Sequence, residues 1–178
     1  MIMQRICGLE WPMRLNRLPE DDETRMSRIE EAGSRVHDRF EQMLMFRSRE
    51  EAERALAGMP DEWRDAAERI DLLMLPERVN LSTYDRFGDF AFQGIGGNWY
   101  FDACEVAVFR LHATKPEAES APALMQLEEH LIAAIGADGS DDGGDRTWHV
   151  IERQLAELAE RVARAYRCEA EWLDIARP

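Results

Sequence analysis

The stretch DGSDDGGD at 138–145 gathers Asp138, Asp141, Asp142 and Asp145 around Ser140 and three glycines. Oxygen ligands at alternate positions, followed by a glycine, are what a calcium loop of the EF-hand type requires. Counting from Asp138 puts Ser140 third, Asp142 fifth and Gly143 sixth, which satisfies the first half of such a loop. The second half fails. The twelfth position, where a bidentate glutamate closes the shell, is His149, and the eighth, normally apolar, is Asp145. The stretch reads as a polar turn whose glycines permit tight chain reversal, and no metal or other cofactor is expected.

Gly94-Ile95-Gly96-Gly97 raises the question of a phosphate loop. A dinucleotide fingerprint would need a further glycine where Trp99 stands. A P-loop would need a Gly-Lys-Ser/Thr run, and Lys115 is the one lysine of the chain. A turn, or a nest of backbone amides, is what remains. His37, His112, His130 and His149 are scattered and form no HExxH pair or di-iron spacing. Cys7, Cys104 and Cys168 form no CxxC pair, an odd count that suits reduced thiols in the cytoplasm. No GxSxG elbow is present. The chain carries no recognisable catalytic signature.

Charge narrows the classes further. The 178 residues carry a formal net charge of −14, which argues against nucleic acid and against anionic membrane surfaces as direct partners. No window approaches the ~18 apolar residues of a membrane span. From Pro116 to Gly144 there is no lysine or arginine, while Glu117, Glu119, Glu128, Glu129, Asp138, Asp141 and Asp142 fall inside it and Asp145 follows. Such a field solvates a helix face and its loop. It also steers a basic partner into contact.

The elements that would hold these residues read mainly as helices. Acids at 20–23 open one, and Met26, Ile29, Val36, Phe40 and Met43 continue its stripe at helical steps. Ser48 and Glu51 form a capping box for a short helix ending at Gly58, and Pro60 starts another with Trp63, Ala66, Ala67, Ile70 and Leu73 on one face. Leu124, Leu127, Leu131 and Ile135 give a further stripe. Trp148, Ile151, Leu155, Leu158, Val162 and Ala165 give the clearest one, with Trp172 in phase. Residues 103–112 are apolar almost throughout, so periodicity does not separate strand from helix there; the reading adopted is a helix over about 99–112. The expected fold is mainly α: a single-domain bundle of about five to six helices over 19–178 after an N-terminal arm at 1–18. A small β-hairpin within 86–112, turning at Gly96-Gly97-Asn98, and an α+β fold are the alternatives.

The expected function is that of a non-catalytic acidic protein-binding module, specifically an inhibitor or immunity-type antagonist covering the basic site of a toxin or nuclease. Glu128, Glu129, Asp138, Asp141, Asp142 and Asp145 would supply charge, and Trp99 or Tyr100 an aromatic anchor. One alternative is a small enzyme with its pocket near 84–112, drawing on Tyr84, Asp85, Asp102, Glu105 and His112. The other is a structural homodimer subunit.

Overall fold

A computed structural model describes residues 3–11, 22–75, 80–136 and 147–173. The fold is not a helical bundle. The described residues form eleven strands in two antiparallel sheets and six short helices. Contacts divide the chain into two compact units, one of Met3–Met74 with Phe92–Tyr100, the other of Leu75–Ala91 and the chain from Phe101 onward.

The first unit is built on β1 (Gln4–Glu10), β2 (Asp38–Phe40), β3 (Met43–Phe46) and β4 (Glu68–Met74), joined by the β6–β7 hairpin (Ala91–Gln93 and Trp99–Asp102). The sheet order is β2-β3-β1-β4-β7-β6. Residues 4–10, assigned to an arm on sequence grounds, are an interior strand paired with β3 and β4. The outer face carries α1 (Asp22–Glu31), α2 (Arg49–Ala57) and α3 (Asp61–Ala66) over Cys7, Leu9, Trp11, Leu44 and Phe46. The inner face holds Ile6, Met43, Met45, Leu72 and Tyr100. Gly8 keeps that interior filled. A Cβ there would stand 3.0 Å from Met43 Sδ and 3.1 Å from Leu72 Cδ1. The sheet curls until its ends meet, where the Ile95 amide donates to the Arg39 carbonyl at 2.9 Å.

The second unit carries β5 (Asn80–Thr83), α4 (Phe87–Phe90), β8 (Val106–Ala113), α5 (Ser120–Leu127), β9 (Leu131–Gly136), β10 (Trp148–Glu152), α6 (Ala156–Ala165) and β11 (Cys168–Trp172). Its sheet order is β11-β8-β10-β9-β5. Helices α5 and α6 cover one face, setting Ala123, Leu127, Ala159, Val162 and Ala163 against Phe109, Leu111, Leu131 and Ile151.

The helical expectation fails for an identifiable reason. Val106–Phe109, Leu131–Ile135 and Trp148–Ile151 are buried at every position. A strand covered on both faces loses its alternation and reads as a continuous apolar run, which periodicity cannot tell from a buried helix. The apparent long stripes were sums of neighbours. Trp148 and Ile151 belong to β10, Leu158, Val162 and Ala165 to α6, and Trp172 to β11. Likewise Phe40 and Met43 lie in β2 and β3 rather than in a continuation of α1, and Ile70 and Leu73 lie in β4. Within 99–112 the chain forms β7, a turn at 103–105 and then β8 rather than a helix, and β6 and β7 form a hairpin that turns through residues 94–98.

Local signals survived where they were chemical. The Ser48 hydroxyl accepts from the Glu51 amide at 3.2 Å, and α2 stops before Gly58. The reciprocal half of the capping box is displaced by one residue, with Glu51 Oε2 accepting from the Arg47 amide at 3.1 Å.

Candidate functional site

The expected binding residues fall in different settings. Asp138, Asp141, Asp142 and Asp145 lie outside the described residues. Glu128 and Glu129 are exposed in a single 3-10 turn at the end of α5. That helix buries Ala123 and Leu127 and turns Ala121, Pro122, Met125 and Gln126 outward. Met125 is 73% exposed, unusual for so large an apolar side chain. Glu117 and Glu119 are exposed before the first turn of α5. Acids there complement the helix dipole, but Glu128 and Glu129 stand at the carbonyl end, where negative charge is unfavourable. Helix stability therefore does not account for them. The result is an apolar centre with carboxylates at both ends and no lysine or arginine from 116 to 136. Burial, and then the charge of Glu128, push the Tyr84 hydroxyl pKa up.

Of the expected aromatic anchors, Trp99 is partly buried in β7 and Tyr100 is fully buried. The Tyr100 hydroxyl is engaged inside the curled sheet by Asp38, a residue that sequence reasoning passed over. Asp38 is 5% exposed and pairs in register with Met45, which sets its carboxylate on the inner face. It accepts from the Arg39 and Gly96 amides at 2.8 Å each, from Tyr100 Oη at 2.7 Å and from Asn98 Nδ2 at 3.2 Å. Burial alone would raise its pKa, yet these four donors outweigh it and hold the pKa below the usual carboxylate value. The question raised by Gly94-Ile95-Gly96-Gly97 is thus answered within the unit. The loop is a turn that wraps a carboxylate of its own chain. A Cβ on Gly94 would stand 2.3 Å from Asp38 Oδ2, and one on Gly96 3.0 Å from the same atom. Gly97 adopts a positive φ of 84°. A signal for Asp38 existed only for a reader who already knew the strand: Asp38 and Phe40 share one face of β2 at period two, opposite Met45 and Met43.

The alternative catalytic set does not assemble. Asp102 accepts from the Cys104 amide at 2.7 Å within a turn. Glu105 precedes the first residue of β8, whereas His112 lies near the far end of that strand, against Glu171. Glu171 also takes both prongs of Arg110, at 2.8 and 2.9 Å, and His112 and Arg110 together lower its pKa. Asp85 is exposed, and Tyr84 packs against the core under α5. A cavity of about 400 Å³ does lie in this region, lined by Phe90, Cys104, Glu105, Glu152, Arg153 and Gln154. Its charged groups are largely engaged. Arg86 grips Glu152 at 3.1 and 3.2 Å, and Arg153 donates to the Ala103 carbonyl at 2.6 Å.

The histidines stay apart in role. The Nδ1 of His37 accepts from Arg47 Nε, His130 closes the turn after α5, and His149 is buried in β10. Among the described residues, no group of three His, Cys, Asp or Glu side chains could hold a metal ion. Among them too, no helix is long and apolar enough to cross a membrane. Comparison with known proteins finds no matching family model, no matching curated protein and no matching solved structure.

Proposed function

We propose that this chain is a non-catalytic protein-binding module that docks a basic partner on the α5 face, in the manner of an inhibitor or immunity-type antagonist of a toxin or nuclease. The observation that carries the reading is Met125, 73% exposed between carboxylate-bearing ends of its helix. An apolar contact surrounded by charge combines desolvation energy at the centre with electrostatic steering at the rim. Asp138, Asp141, Asp142 and Asp145 follow β9 in sequence and extend the same cation-free segment. The three free cysteines suit a reducing compartment, and the cytoplasm is the proposed location.

The test is retention of partners from the native host by the wild-type chain and by a Glu128→Lys/Glu129→Lys/Met125→Ser variant. A basic protein retained by the first and lost by the second, with salt-dependent association, supports the reading. Equal retention by both chains overturns it.

A further inference from the structure

The first unit contains a cavity of about 340 Å³ lined by Arg35, Val36, His37, Arg47 and Glu51. Its chemistry runs against the composition of the chain. Acids outnumber lysine plus arginine by 36 to 22. Several arginines of the described residues are accordingly tied to carboxylates: Arg5 to Asp71, Arg69 to Glu53, Arg86 to Glu152 and Arg110 to Glu171. Arg35 and Arg47 line one cavity together, and neither guanidinium is paired with a carboxylate among the described residues.

The remaining lining groups are arranged in keeping with this. Glu51 turns its Oε2 back onto the Arg47 amide at 3.1 Å, acting as a helix cap rather than as a counter-ion to either guanidinium. Arg47 Nε donates to His37 Nδ1 at 3.3 Å, which places the imidazole proton on Nε2, facing Met74 Sδ at 3.3 Å. Ser48 caps α2 beside the cavity, so the positive end of a nine-residue helix adds to the field. Two guanidiniums against one carboxylate leave the lining net positive. Forked donors with no carboxylate partner among the described residues suit an oxyanion that can be approached from more than one side.

We propose that Arg35, His37 and Arg47 form a binding site for a phosphate-type oxyanion, either the free ion or the terminal group of a small ester. The cavity volume leaves room for more than the ion itself. His37 reports on occupancy. Burial, and then Arg47, hold its pKa below the ordinary histidine value; Arg35 acts in the same direction, while Asp38 and Glu51 oppose it. An anion between the guanidiniums offsets their field and raises the His37 pKa, releasing Arg47 Nε from the imidazole.

The experiment follows the His37 imidazole resonances of the full chain by NMR, assigned by their loss in His37→Gln. Sodium phosphate, glycerol phosphate and sodium acetate are titrated separately against sodium chloride of matched ionic strength. The expected result is a saturable phosphate effect with a rise in the His37 pKa. Arg35→Gln/Arg47→Gln should weaken binding by about tenfold or more. Arg35→Gln alone preserves the Arg47–His37 contact and should give an intermediate loss. Tighter binding of glycerol phosphate than of phosphate assigns the site to esters, and equal or weaker binding assigns it to the free ion. The proposal is overturned if chloride reproduces the shift, if acetate binds as tightly as phosphate, or if the double variant binds unchanged.

Discussion

The Tyr100 hydroxyl donates to the Asp38 carboxylate over 2.7 Å, and both residues lie inside the curled sheet of the first unit. Asp38 stands on β2 at one end of the sheet order, and Tyr100 on the hairpin at the other. This hydrogen bond therefore spans the closure, together with those from Gly96 and Asn98 to the same carboxylate. Met45 and Met43, neighbours of Asp38 across the inner face, give the carboxylate no alternative donor. A buried carboxylate is tolerable only while its lone pairs are occupied. Tyr100 is itself held neutral, its pKa raised by burial and then by Asp38.

Replacing Tyr100→Phe keeps the ring and removes one of the four donors. The expected cost is about 1–3 kcal/mol of stability. Urea unfolding should show a lower midpoint with an unchanged slope, since the exposed surface on unfolding is the same. A midpoint equal to wild type would mean that the bond contributes nothing to closure.

Gly94→Ala should be at least as damaging despite adding a single methyl. The new Cβ would meet all three carboxyl atoms of Asp38, at 2.3, 2.6 and 2.8 Å, so the loop or the carboxylate must move. Gly88→Ala is the control, because nothing lies within 4 Å of a Cβ there. Thermal melts of the two variants should separate by several degrees, with Gly88→Ala the more stable.

His149 is 5% exposed, and among the described residues neither ring nitrogen has a hydrogen-bond partner. Burial pushes its pKa down to about 4 from 6.5. The folded state then binds fewer protons than the unfolded state between these values, so stability falls as pH is lowered through that window. The loss should approach about 3 kcal/mol. His149→Leu should flatten the profile between pH 6.5 and 4. His37, also lowered by burial, will leave a smaller residual slope. Asp38 adds a separate loss as pH falls below the ordinary carboxylate value of 3.8, because its folded pKa is depressed. A wild-type profile that stays flat from pH 7 to 4 would contradict the assignment for His149.

The thiols should divide sharply in reactivity. Cys104 is exposed in the turn before β8, whereas Cys7 and Cys168 are buried, with burial the main cause raising their pKa values. A thiolate-selective disulfide reagent should consume one equivalent rapidly under native conditions and the other two only on unfolding. Cys104→Ser should abolish the fast phase. Two fast equivalents would show that one of the buried thiols is accessible.

How much was legible beforehand depended on the range of the forces involved. The Ser48 cap, the stop at Gly58 and the turn at Gly94–Gly97 were readable because each is set by groups within a few residues of one another. The polar turn expected at 138–145 lies outside the described residues. The helix at 156–165 was readable as well, but its limits were not. Trp148 and Ile151 happen to continue its phase while belonging to a strand. Asp38 was invisible for a related reason. Three of its four donors lie 58, 60 and 62 residues away, and nothing in VHDRF announces a buried acid unless β2 is already known.

By itself, the sequence determined the charge balance, the cation-free segment, the absence of a catalytic motif and the local caps. All of these follow from composition or from contacts within a turn or two of chain. Only the tertiary structure decided that the apolar runs are strands, that the glycine loop encloses Asp38, that Cys104 faces solvent, and that Arg35, His37 and Arg47 share a cavity. The physical reason is that an apolar run gains as much from burial in a covered sheet as in a helix. The choice then rests with strands far away in sequence that are available to pair with it.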